Sequence, residues 1–132
     1  MIKIIAEAGI NHNGRLSDAL RLVDAAFDAG ADVVKFQIYH TDKLVRDVQN
    51  RALLKSCELS EHEHDWVKQH CDALGIEWMA SCFDTEAVDL ALALGAKTIK
   101  LGSGEIVNRR LICKVAQTGK ALLLSTGASS LE

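Results

Sequence analysis

One repeating unit limits how this chain can fold. An amphipathic helical stretch ends at a glycine, and a short apolar run follows almost at once. This happens at Gly30, Gly75, Gly95 and Gly119. Proline is absent, so glycine carries most of the punctuation. The apolar runs fall at residues 3–8, 33–38, 76–82, 97–101 and 121–124, and they do not alternate cleanly between apolar and polar positions. Strands covered on both faces read this way, and strands separated by helices join in parallel through right-handed crossovers. The pattern predicts an α/β protein built on a parallel sheet.

Helix starts support the same frame. Ser17 is a candidate cap for a helix reaching residue 29, with Leu20, Val23, Ala26 and Phe27 on one face. Ser60 and Glu63 form a capping box ahead of Val67, Cys71 and Leu74. Asp84 and Asn108 stand at two further helix starts. Between residues 40 and 58 the spacing of Leu44, Val45, Val48, Leu53 and Leu54 gives a long loop with a helical turn or two. Residues 128–132 read as the opening of one more helix.

Two architectures satisfy the unit. One is an open, doubly wound sheet of five strands. The other is a (β/α)8 barrel, which needs about 250 residues. A doubly wound domain covers its last strand with a helix, and here only the first residues of such a helix appear. The expectation is a partial (β/α)8 TIM barrel over residues 1–132, with its first five parallel strands and the intervening helices.

The polar residues collect where such a sheet builds its site, at the C-terminal strand ends. Glu7 closes the first strand, Lys35 sits in the second, and Ser81 lies near the end of the third. Lys100 precedes Gly102-Ser103-Gly104-Glu105, and Ser125 follows the fifth strand. A lysine in a buried strand needs an anion or an outlet to water, because desolvating an ammonium costs several kcal/mol. Two such lysines beside Ser81, Ser103 and Ser125, with glycine-flanked N–H groups, suit a phosphate or a carboxylate. A strand-end salt bridge is the bland alternative for Glu7.

Other features narrow the classes. The formal net charge of −3 argues against a general nucleic-acid binder. No apolar run approaches the roughly 18 residues of a membrane span, and the immediate entry into a strand argues against a secretory leader. The four cysteines, Cys57, Cys71, Cys82 and Cys113, form no C-x-x-C and read as reduced thiols in a cytoplasmic protein. His62, His64 and His70 read as solvent-exposed. His12, in Asn11-His12-Asn13-Gly14, is better placed for a site, or else organises its turn. No zinc spacing, P-loop or G-x-G-x-x-G occurs.

Four blocks then carry a resemblance. They are residues 6–14 (AEAGINHNG), 29–37 (AGADVVKFQ), 100–105 (KLGSGE) and 124–127 (LSTG). In this order they resemble the sialic acid synthase family, which includes N-acetylneuraminate, legionaminic and pseudaminic acid synthases and spore-coat-polysaccharide relatives. The resemblance implies a barrel that condenses phosphoenolpyruvate with an N-acylated amino sugar to a sialic-type acid, releasing phosphate. It implies a divalent metal, Mn2+ or Mg2+, as Lewis acid, with its ligands expected beyond residue 132. It implies that Glu7 lies near the acceptor and the reacting carbons. Lys35, Ser81, Lys100, Ser103 and Ser125 would hold phosphoenolpyruvate. The longer protein would be a homodimer, and this piece alone would be inactive, with exposed strand edges that favour self-association. Ser81-Cys82-Phe83-Asp84 departs from the family's Thr-Pro at the third strand, and the segment between Tyr39 and Leu59 is short for an N-acetylneuraminate synthase. Two rivals stay open: a 3-deoxy-sugar-acid synthase with a phosphorylated acceptor, and a non-catalytic flavodoxin-like domain that binds a phosphorylated ligand.

Overall fold

The computed structural model describes residues 2–44, 48–127 and 129–130, with no side-chain description at 48 and 49. Five strands form one parallel sheet: β1 (Ile5–Gly9), β2 (Val33–Ile38), β3 (Glu77–Cys82), β4 (Thr98–Leu101) and β5 (Ala121–Leu124). Their spatial order is β1-β2-β3-β4-β5, the same as their order in the chain. A doubly wound sheet reverses its strand order at a switch point. This sheet has no reversal, so it is an arc of a TIM barrel and the flavodoxin-like alternative is excluded.

The register sorts side chains into two sets. Glu7 lies opposite Lys35, Lys35 opposite Met79, Gln37 opposite Ser81, and Ser81 opposite Lys100. Successive strand residues point to opposite faces, so these residues share one face. The other face carries Ala8, Val34, Phe36, Ile38, Trp78, Ala80, Cys82, Ile99 and Leu101, all buried in the hydrophobic core. The helices α1 (Leu16–Asp28), α4 (Glu61–Leu74), α5 (Thr85–Ala93) and α6 (Arg109–Ala116) supply the rest of that core through Ala19, Val23, Val67, Cys71, Ala87, Val88, Leu111 and Val115. Fully burying a side chain such as Phe36 contributes roughly 2 to 3 kcal/mol, and this layer fixes which face remains for polar groups.

Several local expectations change. Helix α1 starts at Leu16 with Arg15 at its cap, and that cap has no side-chain hydrogen bond. Ser17 therefore lies inside the first turn. The reason is an earlier turn: Arg15 N–H donates to His12 O at 2.9 Å, which begins the helical winding before Ser17 is reached. Residues 40–58 hold more helix than expected, in α2 (Thr41–Leu44) and α3 (Val48–Ser56). Val45 lies outside the described residues, as do positions 128, 131 and 132 of the expected final helix. Ser60 and Glu63 do form a capping box, and Asp84 and Asn108 cap α5 and α6 through the N–H groups of Ala87 and Leu111. All four cysteines are free thiols.

The described parts of the 39–58 segment are tied to one another and to the start of α5. Tyr39 donates its hydroxyl to Leu54 O at 2.9 Å. Thr41 donates both its N–H (3.1 Å) and its hydroxyl (2.6 Å) to Glu58 Oε2. His40 Nδ1 meets Asp84 Oδ2 at 2.7 Å, and Lys43 pairs with Glu86 at 2.8 Å. Gly14 completes the packing. It sits at φ +70°, and a Cβ there would lie 2.0 Å from the backbone carbonyl oxygen of Ser56.

His64 is buried, and so is His12, contrary to the exposed reading of His64. On α4, His64 continues the apolar stripe of Val67 and Cys71 one turn toward the N-terminus. Burial depresses its pKa to about 4, the charge of His12 adds to this, and Glu63 opposes it. His12 is likewise lowered by burial, against the pull of Glu63 and Asp18. Its Nδ1 accepts from Gly14 N–H at 3.1 Å.

A histidine held neutral in the fold stabilises fully above its unfolded pKa near 6.5 and loses that contribution as pH falls through its folded pKa. Urea midpoints are therefore expected to decline from pH 6.5 toward about 4. The slope would be about 1.4 kcal/mol per pH unit for each proton taken up on unfolding. A His64→Leu variant should flatten that decline; an unchanged pH profile would reject the assignment. The sheet also leaves β1 and β5 paired on one side only among the described residues, beside exposed Ile4 and Leu123. Unpaired edges template association, so sedimentation of the 132-residue chain should show self-association rather than a single monomer.

Candidate functional site

The inner face of the sheet brings together five of the six residues expected from sequence. Lys35, in the middle of β2, is the anchor. Its Nζ lies 2.5 Å from Glu7 Oε2 on β1 and donates to Ser81 Oγ on β3 at 3.4 Å. The two partners differ in freedom: the Lys35 side chain is 13% exposed and that of Glu7 is 50% exposed. The ammonium is thus the enclosed member and the carboxylate the exposed one.

Lys100 forms the second half of the site. Its Nζ donates to Ser125 Oγ at 2.8 Å and to the carbonyl oxygen of Leu101 at 2.6 Å. Ser125 N–H donates to that same carbonyl at 3.1 Å, so β4 and the end of β5 are clasped around the lysine. Among the described residues no carboxylate pairs with Lys100. Burial lowers its pKa, the nearby charge of Lys35 lowers it further, and Glu7 acts in the opposite direction. Two ammonium ions close enough to feel each other, with one carboxylate beside Lys35, leave an excess of positive charge. A small polyanion satisfies that excess.

Ser103 stands apart from this cluster. It opens a 3-10 turn, Ser103–Val107, directly after Gly102, and neither lysine donates to it. Glu105, in the same turn, accepts from Asn108 Nδ2 at 2.7 Å and so steadies the cap of α6.

Sequence reasoning passed over two residues. A Cβ on Gly9 would lie 3.3 Å from Glu7 Oε1, 3.7 Å from Gln37 Nε2 and 3.8 Å from Asn11 Nδ2. A carboxylate and two amide groups therefore converge on one glycine, which sits at φ +56° beside an irregularity in the β1–β2 pairing. The signal for Gln37 was present: it lies two residues beyond Lys35 and shares its face. Asn11 had no such signal, because its position depends on the turn closed by its Nδ2 bond to Ala8 O at 2.9 Å. Among the described residues no group of three or more His, Cys, Asp or Glu side chains is arranged to hold a metal ion.

Gly9→Ala should destabilise the fold by about 1 to 2 kcal/mol, through the left-handed backbone it needs and the push on Glu7. Thermal unfolding measures the loss, and a neutral result would mean the β1 end relaxes freely.

Comparisons with known proteins give the family of the chain. The model of the NeuB family matches residues 22–132. The N,N'-diacetyllegionaminic acid synthase of Legionella pneumophila is 40% identical over 98% of this chain and 40% of its own length. The Campylobacter jejuni enzyme of the same name is 36% identical over 97% of this chain and 43% of its own. The chain thus spans about two fifths of the length of these curated relatives. Among solved structures, the N-acetylneuraminic acid (sialic acid) synthetase of Leptospira borgpetersenii superposes with a TM-score of 0.95 at 33% identity, over 98% of this chain and 46% of that one. A truncated 3-deoxy-D-arabino-heptulosonate 7-phosphate synthase from Thermotoga maritima, at 16% identity and a TM-score of 0.67, shares the fold. The chain belongs to the NeuB family.

Proposed function

We propose that the protein condenses phosphoenolpyruvate with an N-acylated amino sugar, releasing phosphate and forming a sialic-type acid. The observation that carries this reading is the pair Lys35 and Lys100 on one inner face, each hydrogen-bonded to a serine at a strand end. Phosphoenolpyruvate presents a phosphate and a carboxylate on a three-carbon unit, and two ammonium ions with hydroxyls match that pair of anions. The relatives named as legionaminic and sialic acid synthases support the choice of an amino-sugar acceptor. The activity belongs to the longer protein, and the residues described here form its phosphoenolpyruvate side.

In this reading Lys35, Ser81, Lys100 and Ser125 fix the enol phosphate, and Ser103, at the head of its turn, adds a hydroxyl as the ligand settles. Fixed cations orient the methylene carbon and stabilise charge as it shifts. The methylene carbon bonds to the aldehyde carbon of the open-chain sugar, whose oxygen takes up a proton. Water adds to the resulting cationic carbon and loses a proton, and the C–O bond to phosphate breaks. Glu7, half-exposed beside Lys35, positions the acceptor or carries a proton in these steps. Among the described residues no cluster suits a divalent metal; residues of the longer protein would hold one, and it would supply Lewis-acid polarisation of the sugar aldehyde.

Phosphate release by the full-length protein tests the reading, with phosphoenolpyruvate, Mn2+ and a panel of N-acylated amino sugars. Release is expected only when both substrates are present. Lys100→Met should lower kcat/KM for phosphoenolpyruvate roughly 100-fold or more, the scale for losing one charge-stabilising donor. Release with phosphorylated 3-deoxy-sugar precursors alone would move the assignment to that other synthase class.

A further inference from the structure

The Lys35–Glu7 pair poses a problem for the site just described. An anion that binds Lys35 must approach the same ammonium that Glu7 Oε2 already occupies at 2.5 Å. A carboxylate and a phosphoryl group both pressed against one Nζ would repel strongly away from bulk water. The two anions therefore compete for it, and the exposures indicate which yields. The lysine is held at 13% exposure between β1 and β3, while the glutamate side chain is half in solvent.

The structure also offers the carboxylate a destination. Oε1 already points toward the space above Gly9, and no Cβ fills that space. Gln37 Nε2 and Asn11 Nδ2 border it. An amide nitrogen carries two donors. Asn11 uses one on Ala8 O, and among the described residues no hydrogen bond engages the side chain of Gln37. Two amide nitrogens and a carboxylate oxygen thus border one space, and among the described residues no hydrogen bond joins them across it.

We infer that Glu7 is the resident counter-ion of Lys35, and that an incoming phosphoryl anion exchanges with it, sending the carboxylate to the amide groups of Gln37 and Asn11. This rests on the assignment of Lys35 to the phosphoenolpyruvate site and goes beyond it. Glu7 then does two things: it keeps the lysine neutralised while the site is empty, and it competes with the first substrate. By linkage, whatever holds the carboxylate on those amide groups strengthens anion binding, and the anion favours that position in return.

Calorimetric titration of the full-length protein with inorganic phosphate, and separately with phosphoenolpyruvate, tests the exchange. Glu7→Gln and Glu7→Ala should bind inorganic phosphate about five- to tenfold more tightly than wild type, the scale for removing one partly screened competitor. Lys35→Met should bind it more weakly. In the wild-type protein the side-chain carboxyl 13C resonance of Glu7 should move in step with phosphate occupancy, a readout that needs no variant to fold. Equal or weaker affinity in both Glu7 variants, or a Glu7 resonance that ignores phosphate, would overturn the exchange. If phosphate release with an amino sugar persists in that case, the proposed reaction stands without it. Absence of anion binding in wild type, or binding indifferent to Lys35→Met, would overturn both.

Discussion

Two ammonium ions kept largely out of water govern the inner face of this sheet. Lys35 and Lys100 each sit on a β-strand whose opposite face is buried under helices, so neither can be moved without disturbing the core. Each also lies near the other, and burial with the charge of Lys35 works against holding Lys100 protonated. What surrounds them follows from that cost. Glu7 neutralises one, Ser81 and Ser125 supply oxygen lone pairs, and the Leu101 carbonyl turns toward the second. The remaining positive charge is what the proposed anion would meet.

The parallel register makes this arrangement possible. Because Glu7, Lys35, Ser81 and Lys100 occupy positions of matching phase on neighbouring strands, alternation brings all four to the same side. Slipping β2 by one residue would put Phe36 among the ammonium groups and Lys35 into the core. The hydrophobic layer of Val34, Phe36, Trp78, Ala80, Ile99 and Leu101 therefore does more than hold the fold together. It fixes the chemistry on the opposite face, since the cost of burying Lys35 against the helices forbids the alternative register.

Much of this was legible in the chain because its causes are local. Glycines after helices, Ser60 with Glu63, Asp84 and Asn108 mark boundaries through short-range hydrogen bonds, and those boundaries hold in the structure. Polar residues at strand ends signal an inner face, which is how Lys35, Ser81, Lys100 and Ser125 could be named from sequence. What escaped depends on contacts distant in sequence. His64 looked exposed on a charged stretch of helix, but its ring continues the buried stripe of α4. Helices α2 and α3 have weak patterns of their own and are held by ties to Leu54, Glu58 and Asp84. Asn11 owes its place to a turn, and no periodicity reports a turn's aim.

Gly14 has a consequence for inheritance. The first loop and the end of α3 meet there at a distance that leaves no room for a single added carbon, against a backbone atom that cannot rotate aside. The two segments are separated by some forty residues of chain, yet they form one seam. Substitutions that reshape one side are confined to those the other side can follow, so the pair drifts as a single heritable block. A chimera made by grafting the 39–58 segment from a relative must carry the matching first loop with it, whereas the exposed helix surface at Leu53 can be exchanged alone.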